Sequence, residues 1–183
     1  RYLYLSWFLC GISFNNHQSL FVTTVAMEIL MIVVQPKIGR PMLLWNSIFY
    51  VVGLILTNKS STLMSGNTPL LLVFNGIGLG SIIGYIWLSV RTRATATEFL
   101  RDGVLTVVAL GAMAAGGVRA MLVCVSLVLL VFMGLDIYLT SQRRVMDWAP
   151  QWRKAIACGI AFVMGAAFYL YMPLASMSNP PLN

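Results

Sequence analysis

The chain has 183 residues, 59% hydrophobic and 9% charged, with a mean hydropathy of +0.84 and a formal net charge of +7. A soluble domain carries roughly 25% charged residues, so too little polar material is present to coat a water-facing surface, and an ordinary soluble domain is excluded. The positive charge lies in short loops between apolar runs, which argues against nucleic acid and matches the charge pattern of a polytopic membrane protein.

In chain order, the first apolar stretch runs from Tyr2 to Val34 and is broken by Asn15, Asn16, His17 and Gln18. It reads as a helix to about Ser13, a polar turn, and a second helix from about Gln18 to Val34. Gln35 to Pro41 reads as a compact basic turn with two prolines, followed by an apolar run over 42–57. Asn58 to Thr68 reads as a polar loop, and 69–90 as a spanning helix with Pro69 in its first turn. Arg91 to Asp102 is polar and of mixed charge, a candidate short interfacial helix. Runs at 103–116 and 119–139 are separated by Gly117 and Val118 and read as a tight helical hairpin. Thr140 to Lys154 is a basic loop with Trp148 and Trp152, and 155–172 is the last apolar run. The expectation is an all-α transmembrane helix bundle of about six to seven helices, a single domain over 1–183. Opening on Arg1 and closing on Asn179 to Asn183, it reads as part of a longer chain.

Spans need about 20 apolar residues, so the loops alternate sides. With the 15–18 turn placed outside, all of the 12 Lys and Arg residues except Lys59 and Arg119 fall inside, as the positive-inside rule requires. This orientation puts the 15–18 turn and the 175–183 tail on the extracytoplasmic face.

Gly76, Gly80 and Gly84 recur every four residues and read as a helix-packing stripe. A dinucleotide-binding glycine loop would need a strand-turn-helix setting that the pattern does not supply. His17 opens a stripe through Phe21, Thr24 and Glu28. An ionisable group within a span is costly, so Glu28 is a candidate functional residue, with a structural polar contact as its alternative. Asp136 beside Arg143 and Arg144, and Asp102 beside Arg101, read as local ion pairs. Cys10, Cys124 and Cys158 are widely spaced within apolar runs and read as small buried residues, not as a metal or redox set. Asn58-Lys59-Ser60 has the form of a glycosylation acceptor in an outside loop. Neither a nucleophile–base pair nor a metal cluster is legible.

Two segments carry a family resemblance. Phe8-Leu-Cys-Gly-Ile-Ser-Phe-Asn-Asn-His17 resembles a Gly-Leu-Ser-x-x-Asn/Val-His element, and Tyr169-Leu-Tyr-Met-Pro-Leu-Ala-Ser-Met-Ser-Asn-Pro-Pro-Leu-Asn183 is similar to a Tyr-Leu-Tyr-Leu-Pro…Asn-Pro-Pro-x-Asn segment. Both belong to the protein O-mannosyltransferase-like group of membrane glycosyltransferases with the GT-C architecture. The resemblance implies a GT-C-like fold and a sugar donor linked to a polyprenyl phosphate. It also implies transfer to a protein acceptor on the extracytoplasmic or luminal side of a bacterial inner membrane or endoplasmic reticulum. No other cofactor is legible. The expected catalytic carboxylate of such enzymes lies in a loop upstream of Arg1. Asn15, Asn16, His17, Glu28, Asn179 and Asn183 become candidates for donor or acceptor binding. Ala175-Ser176 stand where many relatives carry Arg-Ala, so a phosphate contact of the kind that arginine would make is made differently here or not at all. Two alternatives stay open: a non-catalytic membrane subunit packing through its glycine stripes in a larger complex, and a transporter with Glu28 lining a path.

Overall fold

The computed structural model describes residues 2–16, 21–59, 68–142 and 149–178, and these contain helices and no strand. The helices are α1 (Tyr2–Asn16), α2 (Phe21–Val34), α3 (Pro36–Lys59), α4 (Thr68–Arg91), α5 (Ala96–Ser141) and α6 (Ala149–Ser178). Three stretches among the described residues are long and apolar enough to cross a membrane: Pro36–Thr57, Leu71–Arg91 and Ala96–Ser141. They mark the chain as a membrane protein. Tyr2–Ser13 and Thr24–Val34 are apolar but shorter.

Several boundaries differ from the sequence expectation, each for a local reason. The basic turn at 35–41 is a helix from Pro36 onward, with Gln35 as the single non-helical residue after α2. The Gln35 carbonyl accepts from the amides of Ile38 and Gly39 at 2.9 and 3.1 Å. Pro36 takes the first helical position, where its fixed φ is preorganised and no N–H is needed. Pro41 lies inside α3 and removes one ladder bond without ending the helix. A Cβ at Gly39 would sit 2.7–2.8 Å from Ile32, so glycine permits this abrupt turn.

The polar 91–102 segment divides. Thr92 to Ala94 form a turn, and α5 starts at Ala96 and runs on into the apolar sequence. Its start is fixed by a capping box: Thr95 Oγ1 accepts from the Glu98 amide at 3.3 Å, and the Thr95 amide donates to Glu98 Oε2 at 2.8 Å. This lengthens the first arm of α5 by about two turns over the apolar run alone. At Gly117 the helix breaks, with φ 71° and ψ −162°, at the junction expected between the two runs. A positive φ there suits glycine alone among common residues. After the second arm, α6 begins at Ala149, so Trp152, Arg153 and Lys154 are helical where a loop was expected.

The chain forms two compact units, residues 40–149 and residues 1–39 with 150–183. In the 40–149 unit, Leu44, Ile48 and Val52 of α3 pack with Ala109 and Met113 before the break and Met121 after it. Pairings of α3 with α4 run antiparallel: Leu43 faces Gly84, Tyr50 faces Gly78 and Gly53 faces Phe74. Two serines of α4 turn inward beside Leu88, while much of its apolar surface faces outward. Ser81 and Ser89 are buried, whereas Leu72, Ile83, Ile86 and Val90 are more than half exposed. Such a distribution suits a surround of lipid and would be reversed in water.

Candidate functional site

In the unit of residues 1–39 and 150–183, the sequence motifs lie on α1 and α6. These helices cross at two glycines. A Cβ on Gly11 would overlap the Phe162 carbonyl oxygen and stand 3.0 Å from the Gly165 Cα, and a Cβ on Gly165 would overlap the Phe8 carbonyl oxygen. Trp7 meets Phe162 edge to face at 6.3 Å between centroids. Residues 7 and 11 of α1 therefore pair with 162 and 165 of α6, in rising order along both chains. The helices are parallel, and their C-terminal ends point the same way. Glycine at both crossing positions permits the close backbone approach typical of membrane helices.

Of the candidate residues, Asn15, Asn16 and Glu28 fall within described helices of this unit. Asn15 and Asn16 form the last backbone turn of α1, their side chains lying outside the described set. His17, Asn179 and Asn183 also lie outside the described residues. Glu28 is half-buried on α2 and has an interaction partner. The Thr24 hydroxyl, one turn earlier on the same stripe, and the Trp7 indole N–H are buried with no hydrogen-bond partner among the described residues.

The glycine stripe of α4 is divided in its contacts. A Cβ at Gly84 would stand 3.0 Å from Leu43, but one at Gly76 or Gly80 would meet nothing within 4 Å among the described residues. Gly78, between them, is the position where the Tyr50 ring lies against the backbone. There Tyr50 Oη donates to Asn75 Oδ1 at 2.8 Å, and its ring stacks obliquely on Phe74.

A charged cluster in the 40–149 unit was not foreseen as such. Arg40, 4% exposed in its side chain, pairs with Glu98 through Nη2–Oε1 at 2.7 Å and Nη1–Oε2 at 3.1 Å. Arg40 Nη1 also donates to Thr92 Oγ1 at 3.4 Å. One turn further along α5, Arg101 Nε donates to Asp102 Oδ1 at 2.7 Å, and its Nη2 reaches the same oxygen. Tyr85 Oη donates to Asp102 Oδ2 at 2.8 Å. The expected Arg101–Asp102 pair is thus present, but it is buried where a surface pair was expected. Asp136 is also buried and has a partner, while Arg143 and Arg144 lie outside the described residues.

Two cations and two carboxylates make this cluster neutral, and its parts tie α3, α4 and α5 together. Arg40 Nε is buried there with no hydrogen-bond partner among the described residues. Its chemistry is that of a clip: each carboxylate is committed to an arginine. Glu98 had one legible signal, its place three residues after Thr95 in a capping box. Arg40 had none, since its partner is 58 residues away. Cys10 and Cys158 are buried free thiols and Cys124 is half-buried. Among the described residues no group of three or more His, Cys, Asp or Glu is arranged to hold a metal ion.

No protein-family model matches the chain, and it matches neither a curated protein nor a solved structure.

Proposed function

We propose that this chain is part of a GT-C-type membrane glycosyltransferase that moves a sugar from a polyprenyl-phosphate donor to a protein acceptor on the extracytoplasmic side. The observation that supports this reading most is the parallel crossing of α1 and α6 at Gly11 and Gly165. The described parts of the two segments resembling the family, residues 8–16 and 169–178, belong to the C-terminal parts of these helices, whose ends point the same way. In this reading Asn15, Asn16 and His17 face the segment from Tyr169 toward Asn179 and Asn183 across a shared polar site. Amide and imidazole groups suit hydrogen bonding to sugar hydroxyls and phosphate oxygens. Glu28 serves as a supporting polar contact deeper in the same unit.

The test is sugar transfer from a polyprenyl-phosphate donor to protein acceptors in membranes carrying the full-length protein. His17→Ala and Asn179→Ala should each reduce transfer by at least tenfold at unchanged protein level. Full activity in both variants removes the site. A second reading, a non-catalytic subunit, is favoured by Gly76 and Gly80, whose outward face meets nothing within 4 Å among the described residues. On that reading the full-length protein transfers no sugar and co-purifies with a membrane partner whose retention is lost in Gly80→Leu.

A further inference from the structure

Two kinds of arginine lie around the C-terminal end of α4. Arg40 and Arg101 are buried and neutralised by Glu98 and Asp102. Arg91 and Arg93 are exposed and form no ion pair among the described residues. Arg91 stacks on the face of Trp87, its guanidinium carbon 4.9 Å from the ring centroid. Trp87, Ile86 and Val90 around it are more than half exposed, and Leu71–Arg91 is itself a candidate span ending at this arginine.

The backbone under Arg93 is unusual. The Ala94 amide donates to the Ser89 carbonyl at 3.0 Å and the Arg93 amide to the Val90 carbonyl at 3.2 Å. These bonds form a Schellman cap in which Arg93 occupies the left-handed position, at φ 51°. Glycine is the ordinary occupant, because a Cβ is strained in this conformation. Attraction of a cation to the helix C-terminus accounts for Arg91, but Arg93 lies beyond the last helical residue. The turn is held from inside by Arg40 through Thr92 and Glu98.

We infer that Arg91 and Arg93, presented by this clipped turn beside Trp87, form a binding site for the phosphate of an anionic membrane lipid. The occupant is a lipid because the cations flank an outward apolar helix face at the end of a span, where headgroup phosphates lie. An indole at that level is a usual interfacial anchor, and anionic lipid attracts arginine near the surface. The buried network keeps the two other arginines from competing for the headgroup. This inference does not depend on the glycosyltransferase reading.

The experiment uses the full chain purified in non-ionic detergent and titrated with phosphatidylglycerol or phosphatidylcholine, with retained lipid read by native mass spectrometry. Phosphatidylglycerol should be retained and phosphatidylcholine not. Arg91→Gln and Arg93→Gly should each weaken retention about fivefold, and the pair about 25-fold. Arg93→Lys should retain it. Because glycine suits the cap, Arg93→Gly should not lower the melting temperature, which separates lost charge from lost fold. Equal retention of both lipids, or undiminished retention by the double variant, overturns the proposal. So does displacement of phosphatidylglycerol by millimolar inorganic phosphate, since the site would then take the free ion.

Discussion

Arg40 shows how burial changes the meaning of a charge. As a residue between two prolines it reads as a topology signal, yet its guanidinium is withdrawn from solvent and held by Glu98. A buried pair adds little over a well-packed apolar pair, but loss of one partner leaves an uncompensated charge. Arg40→Gln and Glu98→Gln should therefore each destabilise the protein by about 3–5 kcal/mol. Denaturant unfolding in detergent would measure this, and the exchange variant Arg40→Glu with Glu98→Arg should recover part of the loss. Arg93→Gly should move stability the other way, by about 1 kcal/mol upward, because it relieves a left-handed arginine. Gly117→Ala puts a side chain at φ 71° and should cost about 1–2 kcal/mol, read in the same unfolding assay.

At the scale of the element, the sequence spoke clearly where hydropathy decides and poorly where polar residues enter helices. The run expected at 69–90 corresponds to α4, and the junction at Gly117 and Val118 is where α5 breaks. Hydropathy alone under-called α3 and α5 at their first turns. Gln35 to Pro41 and Arg91 to Asp102 look like loops by composition, but Pro36 at a helix start and the Thr95–Glu98 box are helix-initiating devices. The glycine stripe of α4 was legible as a pattern, whereas its contacts depend on which face a neighbour occupies. Gly78 carries the close contact because Tyr50 stands opposite it. At the α1–α6 crossing the obstruction at Gly11 is backbone, so no rotamer change relieves it. Gly11→Leu and Gly165→Leu should each separate the helices. A disulfide between Trp7→Cys and Phe162→Cys, formed in the parent background, should fail to form in either variant.

For the whole molecule, composition was the strongest signal. The chain's apolar excess appears as outward-facing leucine, isoleucine and valine on helices long enough to span, with Ser81, Ser89, Tyr50 and paired charges turned inward. What composition does not carry is which distant helices meet. The partnership of α1 with α6 joins residues more than 150 positions apart and rests on two glycines whose spacing in sequence has no pattern. The functional reading stands on that partnership, because the C-terminal ends of the two parallel helices point the same way. Sidedness tests this directly. In full-length protein with Cys10, Cys124 and Cys158 replaced by serine, single cysteines at Asn16, Ser178 and Arg93 are labelled with an impermeant maleimide in sealed vesicles. Asn16→Cys and Ser178→Cys should label from the same side and Arg93→Cys from the other. Labelling of Asn16→Cys and Ser178→Cys from opposite sides would contradict the account.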